Sequence, residues 1–232
     1  MHAPAHAPIP TDLLLTAYRN GIFPMADSRD DPELFWVEPR ERAIIPLDGF
    51  RCSRSLAKVL RRGDFEVTCN HAFADVLSAC AAPRADHEGT WINRRIEGAF
   101  HALHAEGHAH SIECWRGGEL VGGLYGLALD RAFCGESMFS RADNASKVAL
   151  AWLVALLRKA GYALLDCQFM TAHLRSLGAI EIPQARYCVL LERARGEPDA
   201  ALPEAYSSLV SAAAGASSSP GKLIAQSLTQ TS

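Results

Sequence analysis

Apolar residues recur along the chain with both a helical and a strand period, and glycines and prolines punctuate the changes between them. Thr11 and Asp12 can cap a short helix with Leu13, Leu14, Ala17 and Tyr18 on one side; Gly21 ends it and Pro24 follows. Residues 26–41 are acidic, contain two prolines and read as loop around the short apolar piece 34–37, with residues 44–46 as a further extended piece. Ser53 opens a helix to about residue 62, stopped by Gly63. A strand over 65–69, a helix over 72–81, a polar loop over 82–89 and a helix over 94–106 follow. Strands are expected over 111–115 and 120–129, joined by a hairpin turn at Arg116-Gly117-Gly118-Glu119, and a third over 132–139. Asp143 or Asn144 caps a long helix to about residue 159, closed by Gly161. A strand over 162–169, a short helix over 173–177 and a last strand over 186–192 complete the pattern.

This succession implies a mixed α/β (α+β) fold. It divides into a small N-terminal domain over residues 1–62 that carries a basic helix, a catalytic domain over 63–194, and a tail over 195–232 rich in Ala and Ser. The tail is expected to be disordered. The strand and helix order of the larger domain resembles that of GCN5-related N-acetyltransferases, a likeness of fold that does not by itself give a function.

Composition narrows the function classes. Hydrophobic residues make up 49% and charged residues 21%, the balance of a globular chain, and a net charge of −3 excludes a generally basic polyanion binder. Residues 1–10 have neither a basic n-region nor an apolar h-region, and the longest apolar run, 148–157, falls short of the ~20 residues that span a bilayer. The seven cysteines are odd in number and form no Cys-x-x-Cys pair, which speaks against a zinc ribbon or a disulfide framework and for a reducing cytosol.

Charge is nevertheless local. Between residues 51 and 62 lie Arg51, Arg54, Lys58, Arg61 and Arg62 with no acid, and Arg54, Lys58 and Arg61 share one helix face. Such a stripe suits phosphates about as well as it suits a solvated surface. In the strand over 162–169, Asp166 and Gln168 point the same way, and Glu136 is a second carboxylate among apolar residues. Two acids in sheet strands either flank a reaction centre or pair with buried backbone or basic groups, and the sequence leaves both open. Histidines 101, 104 and 108 would share a helix face, but Gly107 interrupts it and no zinc-like spacing joins them, so no metal site is expected. Cys134 and Cys167 have no basic neighbour and read as packing thiols. Gly117, Gly118, Gly122, Gly123 and Gly126 form neither a Walker nor a dinucleotide pattern and read as a turn and a close backbone approach. The entry to the long helix, 140–146, lacks the glycines of a coenzyme A pyrophosphate loop, which weakens a coenzyme A-dependent acyltransferase. Trp91 reads either as a core residue or as a stacking surface for a base.

Several stretches together carry a family likeness: Tyr18-x-x-Gly21-Ile22-Phe23-Pro24, Ser53-Arg54-Ser55, Gly89-Thr90-Trp91-Ile92, the segment His108 through Glu113, Leu120-Val121-Gly122-Gly123-x-Tyr125-Gly126, the long block Phe133-Cys134-Gly135-Glu136-Ser137-Met138-Phe139-Ser140, Asn144-Ala145-Ser146-Lys147, Asp166-Cys167-Gln168 and Leu177-Gly178-Ala179. Over roughly residues 11–193 the chain resembles the leucyl/phenylalanyl-tRNA–protein transferases. The resemblance implies transfer of leucine or phenylalanine, and less readily methionine, from aminoacyl-tRNA to proteins with an N-terminal Arg or Lys, which marks them for degradation. It implies no cofactor, no metal and no membrane partner, a cytoplasmic location and a monomer.

The resemblance also implies roles. Asp166 and Gln168 match the proposed catalytic pair. Either Asp166 polarises Gln168 toward the amine proton, or the tRNA ribose hydroxyl shuttles protons while the protein positions charge. Glu136 matches an acid beside the reaction centre. Leu124, Phe133, Met138, Leu150, Leu153 and Leu165 match the pocket for the donor's side chain, Trp91 and Tyr18 the region of the tRNA's terminal adenine, and Arg54, Lys58 and Arg61 the acceptor-stem contact. Met25 stands where many members carry tryptophan, and Phe100 where some carry tyrosine. Strict strand alternation puts Leu165 opposite Asp166, so pocket and carboxylate meet only if the strand bulges.

Overall fold

One sheet of seven strands carries the fold, in a spatial order that departs from the chain order. The computed structural model describes residues 7–83 and 89–229; most of the polar loop expected over 82–89, and the first residues of the lead, lie outside them. In chain order the elements are α1 (Thr11–Arg19), β1 (Phe23–Met25), β2 (Phe35–Val37), β3 (Glu41–Ile45), α2 (Arg54–Arg62), β4 (Glu66–Cys69), α3 (Phe73–Ala81), α4 (Arg94–Ala105), β5 (Ala109–Arg116), β6 (Glu119–Leu129), β7 (Ala132–Ser140), α5 (Ala145–Lys159), β8 (Leu164–Gln168), α6 (Ala172–Ser176), β9 (Ile180–Pro183), α7 (Gln184–Arg193), α8 (Leu202–Gly215) and α9 (Pro220–Thr229). The sheet runs β4-β5-β6-β7-β8-β3-β9, with β7 and β8 parallel and every other neighbouring pair antiparallel; β1 and β2 form a separate hairpin.

Alternation along the strands builds a core on each face. Ile112, Leu124, Phe133 and Leu165 pack toward α5, while Tyr125, Leu127 and Cys134 pack toward α1, α3 and α4. Twelve of the fifteen residues of α5 are buried, because the sheet lies on one side and α2, α8 and α9 on the other. Gly122 on β6 lies against Ala145 at the start of α5, the close approach expected of that glycine run. Asn144, in left-handed backbone, makes no side-chain cap; Ser140 Oγ accepts the Ser146 N–H instead. At α1, Pro10 rather than Thr11 or Asp12 holds the cap position. Gly63 closes α2 in left-handed backbone, and Ser53 accepts the Leu56 N–H at its start.

Three expectations change. The strand expected over 186–192 is helix α7: Tyr187, Leu191 and Ala194 fall at i, i+4 and i+7 and bury one stripe, which overrides the strand propensity of Tyr-Cys-Val. The tail is not disordered over 202–229. In α8, Leu202, Ala205, Leu209 and Ala213 recur with a helical period, and together with Ile224, Ala225 and Leu228 of α9 they are buried; most join the α5 core. Finally, the sheet crosses the boundary placed at residue 62. β3 pairs with β8 and β9, and α2 packs on α5, so the small N-terminal part comprises α1 and the β1–β2 hairpin.

Candidate active site

The parallel pair β7–β8 sets the site. Cys134 pairs with Asp166, so Glu136 and Gln168 come two residues later on neighbouring strands. Opposite β8, Ala43 pairs with Gln168 and Ile44 with Asp166, leaving Cys167 as an extra residue: β8 bulges between the two polar residues, and Gln168 takes φ +61°. Leu165, one residue before Asp166, stays on the α5 side.

Asp166 is wholly buried and so is Arg42. The guanidinium forks onto the carboxylate, Nε to Oδ1 at 2.9 Å and Nη2 to Oδ2 at 2.5 Å, and its Nη1 donates to the Gly21 carbonyl at 3.1 Å. Burial works against the charge of Arg42, but Asp166 outweighs it and the pKa of Arg42 is raised. The Tyr187 hydroxyl donates to Asp166 Oδ2 at 3.1 Å, and the Gln168 backbone N–H donates to Oδ1 at 2.8 Å. The direct contact between Asp166 and Gln168 therefore runs to the main chain.

The Gln168 side chain turns the other way. Its Nε2 donates to Glu136 Oε1 at 3.0 Å. Burial pushes Glu136 up to about 8, against the Tyr18 hydroxyl and the Gln168 amide, both of which favour the charged form. The Tyr18 approach falls short of full hydrogen-bond geometry, so Tyr18 Oη and Glu136 Oε2 are both buried without a partner among the described residues. Tyr18 is buried in the cluster against which Trp91 also packs, with its hydroxyl beside Glu136.

Leu124, Phe133, Leu150, Leu153 and Leu165 belong to one buried cluster, and Met138 packs half-buried against it. Trp91 is half-buried, and its carbonyl accepts the Ala26 N–H. Phe100 is buried edge-on to Tyr125, and Met25 is half-buried in the β1–β2 hairpin. Arg54, Lys58 and Arg61 are exposed along α2 and make no ion pair among the described residues, whereas Arg62 pairs with Asp64, just past the window that appeared free of acids. His110 is buried, which pushes it down to about 4, and His104 Nδ1 donates to the Ala109 carbonyl at 2.7 Å. Among the described residues no group of His, Cys, Asp and Glu is placed to hold a metal ion, and no helix is long and apolar enough to cross a membrane. None of the seven cysteines forms a disulfide among the described residues; burial pushes the Cys134 and Cys167 thiols up, as suits packing residues.

Arg42 and Tyr187 escaped the sequence reading. Arg42 follows an acidic loop and Tyr187 sat in a segment read as strand. The signal that pointed to them was the demand itself: a carboxylate in an apolar strand needs a cation or several donors.

The sequence model of the leucyl/phenylalanyl-tRNA protein transferase N-terminal domain matches residues 8–40, and that of leucyl/phenylalanyl-tRNA protein transferase matches residues 44–192, with the join inside β3. A leucyl/phenylalanyl-tRNA–protein transferase of Novosphingobium aromaticivorans is 58% identical, with 97% of each chain covered. One of Rhizorhabdus wittichii is 61% identical over 81% of this chain and 76% of its own. Among solved structures, L-PGS from Bacillus licheniformis aligns over 67% of this chain and 51% of that one at 14% identity and a TM-score of 0.39. With both sequence models matched in succession and such identity over nearly the whole length, the chain belongs to the leucyl/phenylalanyl-tRNA–protein transferase family and is an aminoacyltransferase.

Proposed function

We propose that the protein transfers leucine or phenylalanine, and less readily methionine, from aminoacyl-tRNA to the α-amine of an N-terminal arginine or lysine, marking the acceptor for degradation, and that it works as a cytoplasmic monomer. The observation that carries this reading is the hydrogen bond from Gln168 to Glu136 between the neighbouring strands β8 and β7, which also contribute Phe133, Met138 and Leu165 to the apolar cluster with Leu124, Leu150 and Leu153.

In this reading the donor's side chain enters the apolar cluster past Met138. Burial selects Leu and Phe over polar residues but separates similar apolar shapes by only about 1–3 kcal/mol. Glu136 receives the acceptor's ammonium. A carboxyl held at about 8 and an α-amine of pKa about 7.7–8.0 exchange a proton at little cost. The freed amine attacks the ester carbonyl, the new C–N bond forms as the C–O bond to the ribose breaks, and the proton shed by the attacking nitrogen leaves on the ribose oxygen. Gln168 is too weak a base to carry that proton; it acts by position and by its N–H dipole. Asp166 sets Gln168 through the main chain. Arg54, Lys58 and Arg61 hold acceptor-stem phosphates, which orient the tRNA without reading its bases, and Trp91 lies near the 3′ adenine.

The test is incubation with labelled Phe-tRNA and a peptide that begins with Arg, beside peptides that begin with Lys or Ala and competing Leu- and Met-tRNA. Phe-Arg-peptide is the expected product, with none from the Ala peptide. Absence of transfer to the Arg peptide overturns the reading.

A further inference from the structure

Asp166 has no free lone pair for a substrate. Its Oδ1 takes the Arg42 Nε–H and the Gln168 backbone N–H; its Oδ2 takes the Arg42 Nη2–H and the Tyr187 hydroxyl. A carboxylate so filled serves as an anchor. What it anchors is the left-handed backbone of Gln168, which aims the side-chain amide at Glu136.

We infer that Arg42 and Tyr187 are positioning residues for aminoacyl transfer, one guanidinium and one hydroxyl fixing the donors and acceptors around Glu136. The guanidinium lies over two aromatic rings, its carbon 4.7 Å from the Phe23 centroid and 4.4 Å from that of Tyr187. It cannot tilt without losing one ring or one arm of the fork. Its remaining arm reaches the Gly21 carbonyl, which also accepts from Gln184 Nε2 at 3.1 Å. Gly21 is the corner after α1, at φ +75°, where a Cβ would lie 2.8 Å from Gln184 Nε2. The same guanidinium thus registers both the helix that brings Tyr18 to Glu136 and the strand that brings Gln168 to it.

The inference rests on the proposed role of Gln168 and is separable from it. Steady-state transfer of Phe to an Arg peptide is measured for the wild type, Tyr187→Phe, Arg42→Lys, Gln168→Ala and the double variant Tyr187→Phe/Gln168→Ala, with melting curves for each. Tyr187→Phe keeps the ring and loses one bond to Asp166. The expected result is a kcat about 10-fold lower, as for a loss worth one decade, with KM for tRNA and peptide within about 2-fold and an unchanged melting temperature. Arg42→Lys keeps the charge and loses the fork, and lowers kcat further. In the Gln168→Ala background Tyr187→Phe has no added effect, because it acts through the missing amide.

A wild-type kcat in Tyr187→Phe overturns the inference, as does a loss in KM and melting temperature together, or a loss that simply adds to that of Gln168→Ala. Should Arg42→Lys fail to fold, Tyr187→Phe decides alone. Full activity in Gln168→Ala overturns the proposed catalytic role instead.

Discussion

Gln168 on β8 and Glu136 on the parallel neighbour β7 each follow the paired Asp166 and Cys134 by two residues, and the amide of one donates to the carboxylate of the other at 3.0 Å. The bond needs a donor at 168 and an acceptor at 136. Gln168→Glu replaces the donor with a second acid at hydrogen-bond distance, and two carboxyls there cannot both ionise. Transfer is expected to fall roughly 100-fold at neutral pH, and the loss should deepen as pH rises and the second proton leaves. A pH series of single-turnover transfer rates checks both parts.

The raised pKa of Glu136 is also a statement about stability. An unfolded Glu titrates near 4.3, and the folded one at about 8. The neutral carboxyl therefore contributes stability that is complete below about 4.3 and lost as pH rises through about 8. Glu136→Gln keeps an acceptor for Gln168 and removes the titration. Its melting temperature should match the wild type at pH 4.5 and exceed it increasingly toward pH 8. After discounting for relaxation around a buried group the gain is roughly 2 kcal/mol, or roughly 4–8 °C for a chain of this size. A constant difference across the series contradicts the assignment.

Much of the site was legible because polar residues in apolar strands stand out. Asp166, Gln168 and Glu136 all stand out that way; the bulge falls at Cys167, beyond Asp166, so it sets Gln168 apart without bringing Leu165 and the carboxylate to one face. What escaped depends on contacts distant in sequence. Arg42 is 124 residues from Asp166, and nothing local marks it as the partner. Tyr187 was hidden by strand-like neighbours whose helical spacing mattered more. Alanine and serine in α8 and α9 resemble a linker by composition, and only the buried Leu202, Leu209, Ile224 and Leu228 reveal the period. The central strands and α5, whose patterns are long and capped, read correctly.

The basic helix offers a quantitative check. Arg54, Lys58 and Arg61 lie exposed and unpaired among the described residues, while Arg62 is engaged by Asp64. Each phosphate contact contributes about one unit to the slope of log K against log salt. Arg54→Ala/Lys58→Ala should weaken tRNA binding and flatten that slope by about one to two units, whereas Arg62→Ala should change it less. Filter binding across a salt series reads this directly. An unchanged slope in the double variant removes the acceptor stem from this face.

The C-terminal helices make the last prediction. α9 enters its contact with α2 at Gly221, where an added Cβ would stand 2.1 Å from the Leu60 carbonyl oxygen, a backbone atom that cannot swing aside. Gly221→Ala must therefore lift α9 from α2 or shift the end of α2. Overpacking of this kind costs typically about 1–3 kcal/mol, or roughly 2–12 °C in melting temperature for a chain of this size. In a disordered tail the same change would be silent or slightly stabilising, because alanine restricts the unfolded chain more than glycine does. The basic side chains of α2 point away from its buried Leu56, Ala57 and Leu60, so the salt slope of tRNA binding should stay at its wild-type value while the melting temperature falls. Differential scanning fluorimetry and the same filter-binding series separate the two effects, and an unchanged melting temperature would show that α9 does not brace α2.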